Sequence, residues 1–444
     1  VTDRGRHLVA ADRTFATGGG LLARLLGGGF RQVLDRIDGG LARGAILATL
    51  PDGSRRRIGG RAPGPEPVVR LHSWNALVRL MTSGSVGWYK GWEQGEWSSP
   101  DPVPLFELFM LNGETLGNTA RAKGLFRLVN RIGHRLRDND RRRARDNIAH
   151  HYDLGNDFYR AWLDPSMTYS SAIFADLAGG EPLEAAQARK IRLLLDRLDL
   201  KPGDRLLEIG CGWGSLAEIA ARDYGVRVVG ITLSEAQKAF AEERIAAAGL
   251  SRQVEIRLQD YREVGGTFDA VASIEMAEAV GQDYWPAYVG SIARLLKPGG
   301  RAALQLISIR EALFDGYAAN ADFIQTYIFP GGMLVSETRL AALAAEAGLS
   351  WQDRRGYGLD YAETLKRWRA RYDAAVAEGR LPAGFDERFH HLWRYYLMYC
   401  EGGFRGGGID VAQVNLTKAY GSEKLYGPRD GLHQVRLKTE TGPI

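Results

Sequence analysis

The chain has 444 residues, 45% apolar and 25% charged, which excludes a wholly disordered protein, a collagen-like fibre and a small disulfide scaffold. Fifty-eight basic and 53 acidic residues leave a net charge of +5, which matters only where it is concentrated. Cys211 and Cys400, the only cysteines, are too few for a disulfide framework or a four-thiolate zinc site and fit a reducing cytoplasm.

The opening residues carry no secretory signal and no run approaches the ~18 apolar residues of a spanning helix. The expectation is a cytoplasmic protein with peripheral membrane contact at most. Residues 30–37 (FRQVLDRI) predict a short helix, and 45–60 (AILATLPDGSRRRIGG) two strands around an Asp52-Gly53 turn. Residues 68–84 predict a strand running into an amphipathic helix. Residues 89–111 bring Tyr89, Trp92 and Trp97 close together ahead of a further helix. No acid, base or metal cluster stands out in this N-terminal α+β region, 1–117.

Residues 118–145 change character. Ten Lys/Arg face only Asp138 and Asp140, and Leu125, Leu128, Val129, Ile132 and Leu136 recur at helical spacing. That is a basic amphipathic helix, read either as a solvated linker or as a dock for an anionic membrane; no nucleic-acid motif accompanies it. From 201 onward DRLLEIG, VRVVGIT, VEIRLQD, FDAVASIE and RAALQLISI are apolar, β-branched runs separated by helical segments. This alternation predicts an α/β fold, a mostly parallel sheet covered on both faces. About ninety mostly helical residues follow Ile309, then a last strand in VAQVNLTKA, then a tail over 421–444.

The first of these strands ends in Glu208-Ile209-Gly210-Cys211-Gly212-Trp213-Gly214 and leads into a helix. Glycines at a strand-to-helix turn let the backbone approach a ligand closely. The G-x-G-x-G spacing, with an acid two residues ahead, resembles the first motif of class I methyltransferases that use S-adenosylmethionine. It is unlike the dinucleotide G-x-G-x-x-G. Cys211 reads as a small packing residue. After the second strand Thr232, Ser234 and Gln237 are the polar groups at hand; after the third, Gln259, Asp260 and Tyr261 are placed to bracket an adenine.

Further strings are His151-Tyr152-Asp153-Leu154-Gly155-Asn156-Asp157-Phe158-Tyr159, Met167-Thr168-Tyr169-Ser170-Ser171-Ala172, Gly230-Ile231-Thr232-Leu233-Ser234, Tyr327-Ile328-Phe329-Pro330-Gly331-Gly332 and Asp360-Tyr361-Ala362-Glu363-Thr364-Leu365. In this order, over residues 146–418, they resemble the cyclopropane-fatty-acyl-phospholipid synthases and mycolic acid methyltransferases. The resemblance implies a methyltransferase domain over 146–420 preceded by a small lipid-associated domain. It also implies S-adenosylmethionine-dependent modification of a double bond in a phospholipid acyl chain. The implied partners are acyl chains and an anionic membrane surface, with a homo-oligomer compatible and no nucleic acid. Tyr169, Ser170, Glu208, Gly210, Gly212, Gly214, Thr232, Ser234, Gln237, Gln259, Asp260 and Tyr261 fall on the cofactor side; no metal site is expected.

The family's base resembles a bound bicarbonate held by a cysteine, a glutamate, a histidine, a tyrosine and a backbone position. The glutamate carries over to Glu278, the tyrosine to Tyr361 and the backbone position to Ile307. Ser171 stands for the cysteine and Gln305 for the histidine, and Ala279 for the second histidine of a Phe-Glu-His string. Neither Ser171 nor Gln305 supplies an imidazolium charge, which weakens the expectation of bicarbonate and of cyclopropane closure. Glu278, a carboxylate beside an apolar channel, is then the expected base.

Plainer readings stand beside these: Glu278 as a helix cap, Tyr361, His390 and His391 as packing residues. Glu401 is a candidate for the acyl pocket, and a metal site at His150 and His151 lacks a second ligand pair. Two alternatives to acyl alkylation are a desaturase-like enzyme of methyl-branched or furan fatty acid synthesis on the same fold, and a non-catalytic lipid-binding protein.

Overall fold

The computed structural model describes residues 4–10, 29–117 and 154–420. The basic segment 118–145, His150, His151 and the tail 421–444 lie outside the described residues. A four-stranded sheet, order β2-β1-β3-β4, is built from β1 (Ala45–Thr49), β2 (Arg55–Gly59), β3 (Val68–Leu71) and β4 (Trp97–Ser98). β1 and β2 pair antiparallel across the Asp52-Gly53 turn; Gly53 takes φ +82° and Asp52 accepts from the Ser54 N–H at 2.9 Å.

The larger sheet has seven strands in the order β10-β11-β9-β8-β5-β6-β7. β5 (Arg205–Ile209), β6 (Arg227–Thr232), β7 (Val254–Leu258), β8 (Phe268–Ile274) and β9 (Leu296–Ile309) run parallel; β11 (Ile409–Lys418) is antiparallel to β9 and to β10 (Leu349–Gly356). β5 is buried at four of its five positions, as a strand covered on both faces requires. The chain builds outward from β5 through β6 to β7, then crosses back to lay β8 on the other side of β5. That reversal opens a crevice at the carboxyl ends of β5 and β8, where ligands of open α/β sheets bind.

The sequence reading missed β10. Its LSWQDRRG string is polar because the strand is at the sheet edge, with all but its first and third residues exposed and a register shift between Gln352 and Arg355. Charge and irregularity of this kind protect an edge from pairing with another chain.

The helices after β9 roof the sheet. Helix Glu387–Arg405 starts at Asp386, whose carboxylate accepts from the Phe389 N–H at 2.8 Å. It lies against helix Val103–Leu111 of the N-terminal region at very close range. A side chain at Gly406 would meet the Glu107 carbonyl at 2.6 Å, and one at Gly402 the Val103 carbonyl at 2.8 Å. One core cluster runs through both regions: the Tyr89 ring centre is 5.0 Å from Phe323 and 4.9 Å from Tyr395, and that of Phe106 is 5.2 Å from Tyr395.

Candidate active site

A first cavity opens at the carboxyl ends of β5, β6, β7 and β8. Ten of the twelve residues expected on the cofactor side line it: Tyr169, Ser170, Glu208, Gly210, Gly212, Thr232, Gln237, Gln259, Asp260 and Tyr261. Gly214 and Ser234 lie just outside this lining. Gly214 (φ +84°) starts helix Ser215–Tyr224, and a side chain there would meet Ala241 Cβ at 3.0 Å. Ser234 caps helix Glu235–Ala247, its Oγ accepting from the Gln237 N–H at 3.3 Å. Both shape the site from behind.

Within the loop, Gly210 takes φ +81° and Gly212 φ +51°, and a Cβ at Gly212 would meet nothing within 4 Å. The backbone there borders open cavity. Glu208 is buried, its Oε2 without a protein partner, and burial pushes its carboxyl well above the usual range. A buried acceptor facing a cavity without a protein donor is what a bound donor would satisfy. Thr232 Oγ1 donates to Gln237 Oε1 at 2.9 Å, and the Asp260 carboxylate is held by Arg262 at 2.9 and 2.6 Å. The lining thus fits a polar molecule carrying an amine, hydroxyls and a flat ring, as S-adenosylmethionine does. Cys211 is a packing residue: its thiol is buried and pushed well above its ordinary pKa, away from the reactive thiolate.

A second cavity, of about 440 Å³ against about 170 Å³ for the first, is largely apolar. Its wall combines Leu80, Trp88, Phe106 and Phe109 of the N-terminal region with Ile307 and Ile309 of β9 and with Tyr317, Phe329, Tyr396 and Phe404 of the roof. Glu401, a candidate for this pocket, does not line it. It is buried and held by Arg369 at 3.0 Å and Arg405 at 2.9 Å, while its neighbours Cys400, Gly403 and Phe404 face the cavity. The histidines serve packing, His390 bonded to the Tyr372 hydroxyl at 2.8 Å and His391 beside Trp92.

The two cavities share Tyr169, Glu275, Met276 and Ala279. At this junction lies a residue the sequence reading passed over. Glu275 Oε1 accepts from the Ser171 N–H and from Gln305 Nε2, both at 2.9 Å, and its Oε2 from the Tyr361 hydroxyl at 2.8 Å. Gln413 Nε2 donates to Gln305 Oε1 at 3.1 Å, so the Gln305 amide is turned with its nitrogen toward Glu275. Ser171 contributes only its backbone, because its hydroxyl donates to the Ala172 carbonyl at 2.9 Å. Glu275 also takes φ +52°, a left-handed conformation that costs a non-glycine residue about 1–3 kcal/mol. The surrounding structure holds it there.

Glu278, in the short helical turn Ala277–Val280, accepts from the Ile307 N–H, and its Oε2 is buried without a partner. Burial, with the nearby Glu275 charge adding to it, raises its carboxyl to about 8, so near neutrality it holds a proton. Burial also raises Glu275, but the Lys190 charge and the three donors work against the shift. Lys190 was hidden from the sequence by its flanking arginines. It is fully buried, donates to Ser170 Oγ at 2.6 Å, and burial lowers its pKa to about 8. Tyr361 keeps its proton, since burial and then the Glu275 charge push the phenol well up.

Every donor expected to hold bicarbonate is therefore engaged already: Tyr361 and Gln305 by Glu275, the Ser171 hydroxyl by Ala172, and the Ile307 N–H by Glu278. An added anion would have to displace Glu275 from these donors, leaving the proton on Glu278 as the one uncommitted hydrogen among them. Bicarbonate does not fit. Among the described residues no group of three or more His, Cys, Asp or Glu is placed to hold a metal, and no helix is long and apolar enough to cross a membrane.

The family model for mycolic acid cyclopropane synthetase matches residues 139–414. The tuberculostearic acid methyltransferase UfaA1 of Mycobacterium tuberculosis is 39% identical over 377 residues, covering 81% of this chain and 85% of that protein. The cyclopropane-fatty-acyl-phospholipid synthase of Escherichia coli K12 is 36% identical over 363 residues, 81% of this chain and 90% of the other. Among solved structures, mycolic acid cyclopropane synthase CmaA1 complexed with SAH and CTAB superposes with a TM-score of 0.57 at 32% identity, covering 62% of this chain and 98% of that one.

Proposed function

The chain belongs to the mycolic acid cyclopropane synthetase family, and on that premise we propose that it alkylates a carbon–carbon double bond in an unsaturated acyl chain of a membrane phospholipid. It is an S-adenosylmethionine-dependent methyltransferase, and its relatives modify fatty acyl chains by cyclopropanation or methylation. The observation that carries the finer reading is the junction: a polar cavity and a large apolar one meet at Tyr169, Glu275, Met276 and Ala279.

S-adenosylmethionine, when bound, supplies an electrophilic methyl on a sulfonium. Glu208, Gly210, Gly212, Thr232, Gln237 and Tyr261 hold it in the first cavity. The apolar wall holds the acyl chain, so positioning supplies much of the rate. A double bond has no proton for a base to remove beforehand, and its alkylation leaves a cation on the chain. Tyr169, Tyr361 and Phe404 line this cavity, and aromatic rings there stabilise that cation once water is excluded.

The N-terminal region acts as a lipid-associated domain, since Leu80, Trp88, Phe106 and Gly117 complete the apolar wall. The basic segment 118–145 continues from Gly117 and docks the enzyme on an anionic leaflet from the cytoplasmic side. Mass spectrometry of lipids from cells with and without the gene tests the reading: acyl chains heavier by one CH2 unit are expected. Unchanged chains, or chains lighter by two hydrogens, would sink it.

A second reading concerns the product. Gln305 in place of the family's histidine, together with the 39% identity to a tuberculostearic acid methyltransferase, favours a methylated alkene over a cyclopropane. Olefinic proton signals retained in the purified product separate the two.

A further inference from the structure

We propose that Glu275 is the catalytic base: its carboxylate, where the two cavities meet, takes the proton that the alkylated chain must lose. This rests on the acyl-alkylation reading above. A carboxylate offers about four acceptor positions. Three are filled by Ser171 N, Gln305 Nε2 and Tyr361 Oη, which fix the group, and Glu275 lines both cavities. A fixed carboxylate with an acceptor position remaining, at the point where cofactor and acyl chain come together, is what proton removal there requires.

The backbone points the same way. At φ +52° a glycine would be unstrained, yet a glutamate is held in place by donors from three distant parts of the chain. Strain kept at a cavity junction is a mark of function. Glu278 differs: it accepts one backbone N–H, and its second oxygen has no donor. Paired carboxylates in unlike surroundings divide into one that carries charge and one that carries a proton; here Glu275 carries the charge.

The step balances. The π pair of the chain forms the new bond to the methyl carbon, the carbon–sulfur pair leaves on sulfur, and the other alkene carbon becomes a cation. Proton transfer to Glu275 returns a C–H pair to that carbon. Loss from the new methyl closes a three-membered ring, and loss from a neighbouring chain carbon forms a double bond. Cation and carboxylate become neutral hydrocarbon and carboxylic acid. The cation sheds its proton so readily that position matters more than basicity, so the hydrogen bonds to Glu275 are no handicap.

The test uses the full chain with vesicles of unsaturated phosphatidylglycerol and phosphatidylethanolamine. It follows S-adenosylhomocysteine release, lipid products and, by calorimetry, S-adenosylhomocysteine binding. Glu275→Gln is expected to lose at least about a hundredfold in turnover and to keep its affinity for S-adenosylhomocysteine. Glu275→Gly relieves the positive φ and empties the carboxylate's place. It is expected to fold, to be nearly inactive, and to regain turnover with added bicarbonate or formate, which leave the wild type unaffected. Turnover retained in Glu275→Gln and lost in Glu278→Gln would overturn the assignment and move the base to Glu278. If Glu275→Gln fails to bind S-adenosylhomocysteine, the glycine variant decides: anion-dependent recovery supports the proposal, and inactivity with both anions overturns it. A wild type that releases no S-adenosylhomocysteine with any unsaturated lipid would instead remove the alkylation reading itself.

Discussion

The polar and apolar cavities meet at Tyr169, Glu275, Met276 and Ala279 but are assembled in opposite ways. The polar one takes most of its lining from the ends of successive strands, where Glu208, Thr232 and Gln259 close or follow apolar runs, with Tyr169 and Ser170 added from ahead of β5 and Gln237 from the helix after β6. The apolar one draws on residues from Leu80 to Ile409, and part of its wall lies ahead of residue 139, where the family match begins. A site made at strand ends is fixed by local sequence and tolerates little change there. A site made by packing is spread over many residues and yields to single changes gradually.

The sharpest way to break the polar side is Gly210→Val. It places a β-branched residue at φ +81° and drives its Cβ into Met276. A loss near 3 kcal/mol corresponds to about a hundredfold weaker S-adenosylmethionine binding by calorimetry. Affinity within a factor of a few of wild type would show that the loop does not hold the cofactor.

Delivery of the apolar side to its substrate is addressed by Arg141→Gln with Arg142→Gln and Arg143→Gln. At about 1 kcal/mol per charge near the surface, the triple variant should bind anionic vesicles about a hundredfold more weakly at low salt. The residual binding should respond less to added salt. Unchanged sedimentation with vesicles would make the segment a mere linker.

Ser83→Phe probes the packed wall from its N-terminal side. Ser83 lines the apolar cavity alone, so an aromatic ring there should raise KM for long acyl chains about tenfold. S-adenosylmethionine affinity should hold. A change in cofactor affinity with KM intact would contradict the division between the cavities.

The smallest expected effect is on stability against pH. Glu278 is raised from its ordinary 4.5 to about 8 by burial, so between those values the folded chain keeps a proton that the unfolded chain has lost. Stability therefore falls as pH rises through this window, and Glu278 contributes no slope below it. Asp322, raised to about 6 by burial, acts in the same sense over a narrower range. Glu278→Gln should flatten the fall in melting temperature between pH 5 and 8 by a few degrees. A wild-type melting temperature that rises with pH across this range would contradict the burial of Glu278.

Most of the polar side was legible in the sequence, because parallel strands read as apolar runs and the glycine loop follows one directly. Gly214 and Ser234 were legible as neighbours of the site, but only the structure separates a helix cap from a lining group. Glu275 closes the FDAVASIE run and looks like any acid at a strand end. Its three donors lie 104, 30 and 86 residues away, and no local pattern links them. Lys190 falls in the same class: in a helix with Arg189 and Arg192 it reads as part of a solvated face, yet it is buried. Tertiary packing, which sequence periodicity does not encode, decides such positions.

The ring cluster that joins the N-terminal helices to the roof has a thermodynamic consequence. Tyr89 and Phe106 lean on Phe323, Tyr395 and Tyr399, so neither part can open without stripping aromatic faces from the other. The N-terminal region and the roof accordingly unfold as one cooperative unit, giving a single calorimetric transition for both where independent modules would give two. A chain begun at residue 139, where the family match starts, would keep the strand ends of the first cavity. It would present the bared rings of Phe323, Tyr395 and Tyr399 to water, a sticky surface that invites aggregation before any loss of cofactor binding.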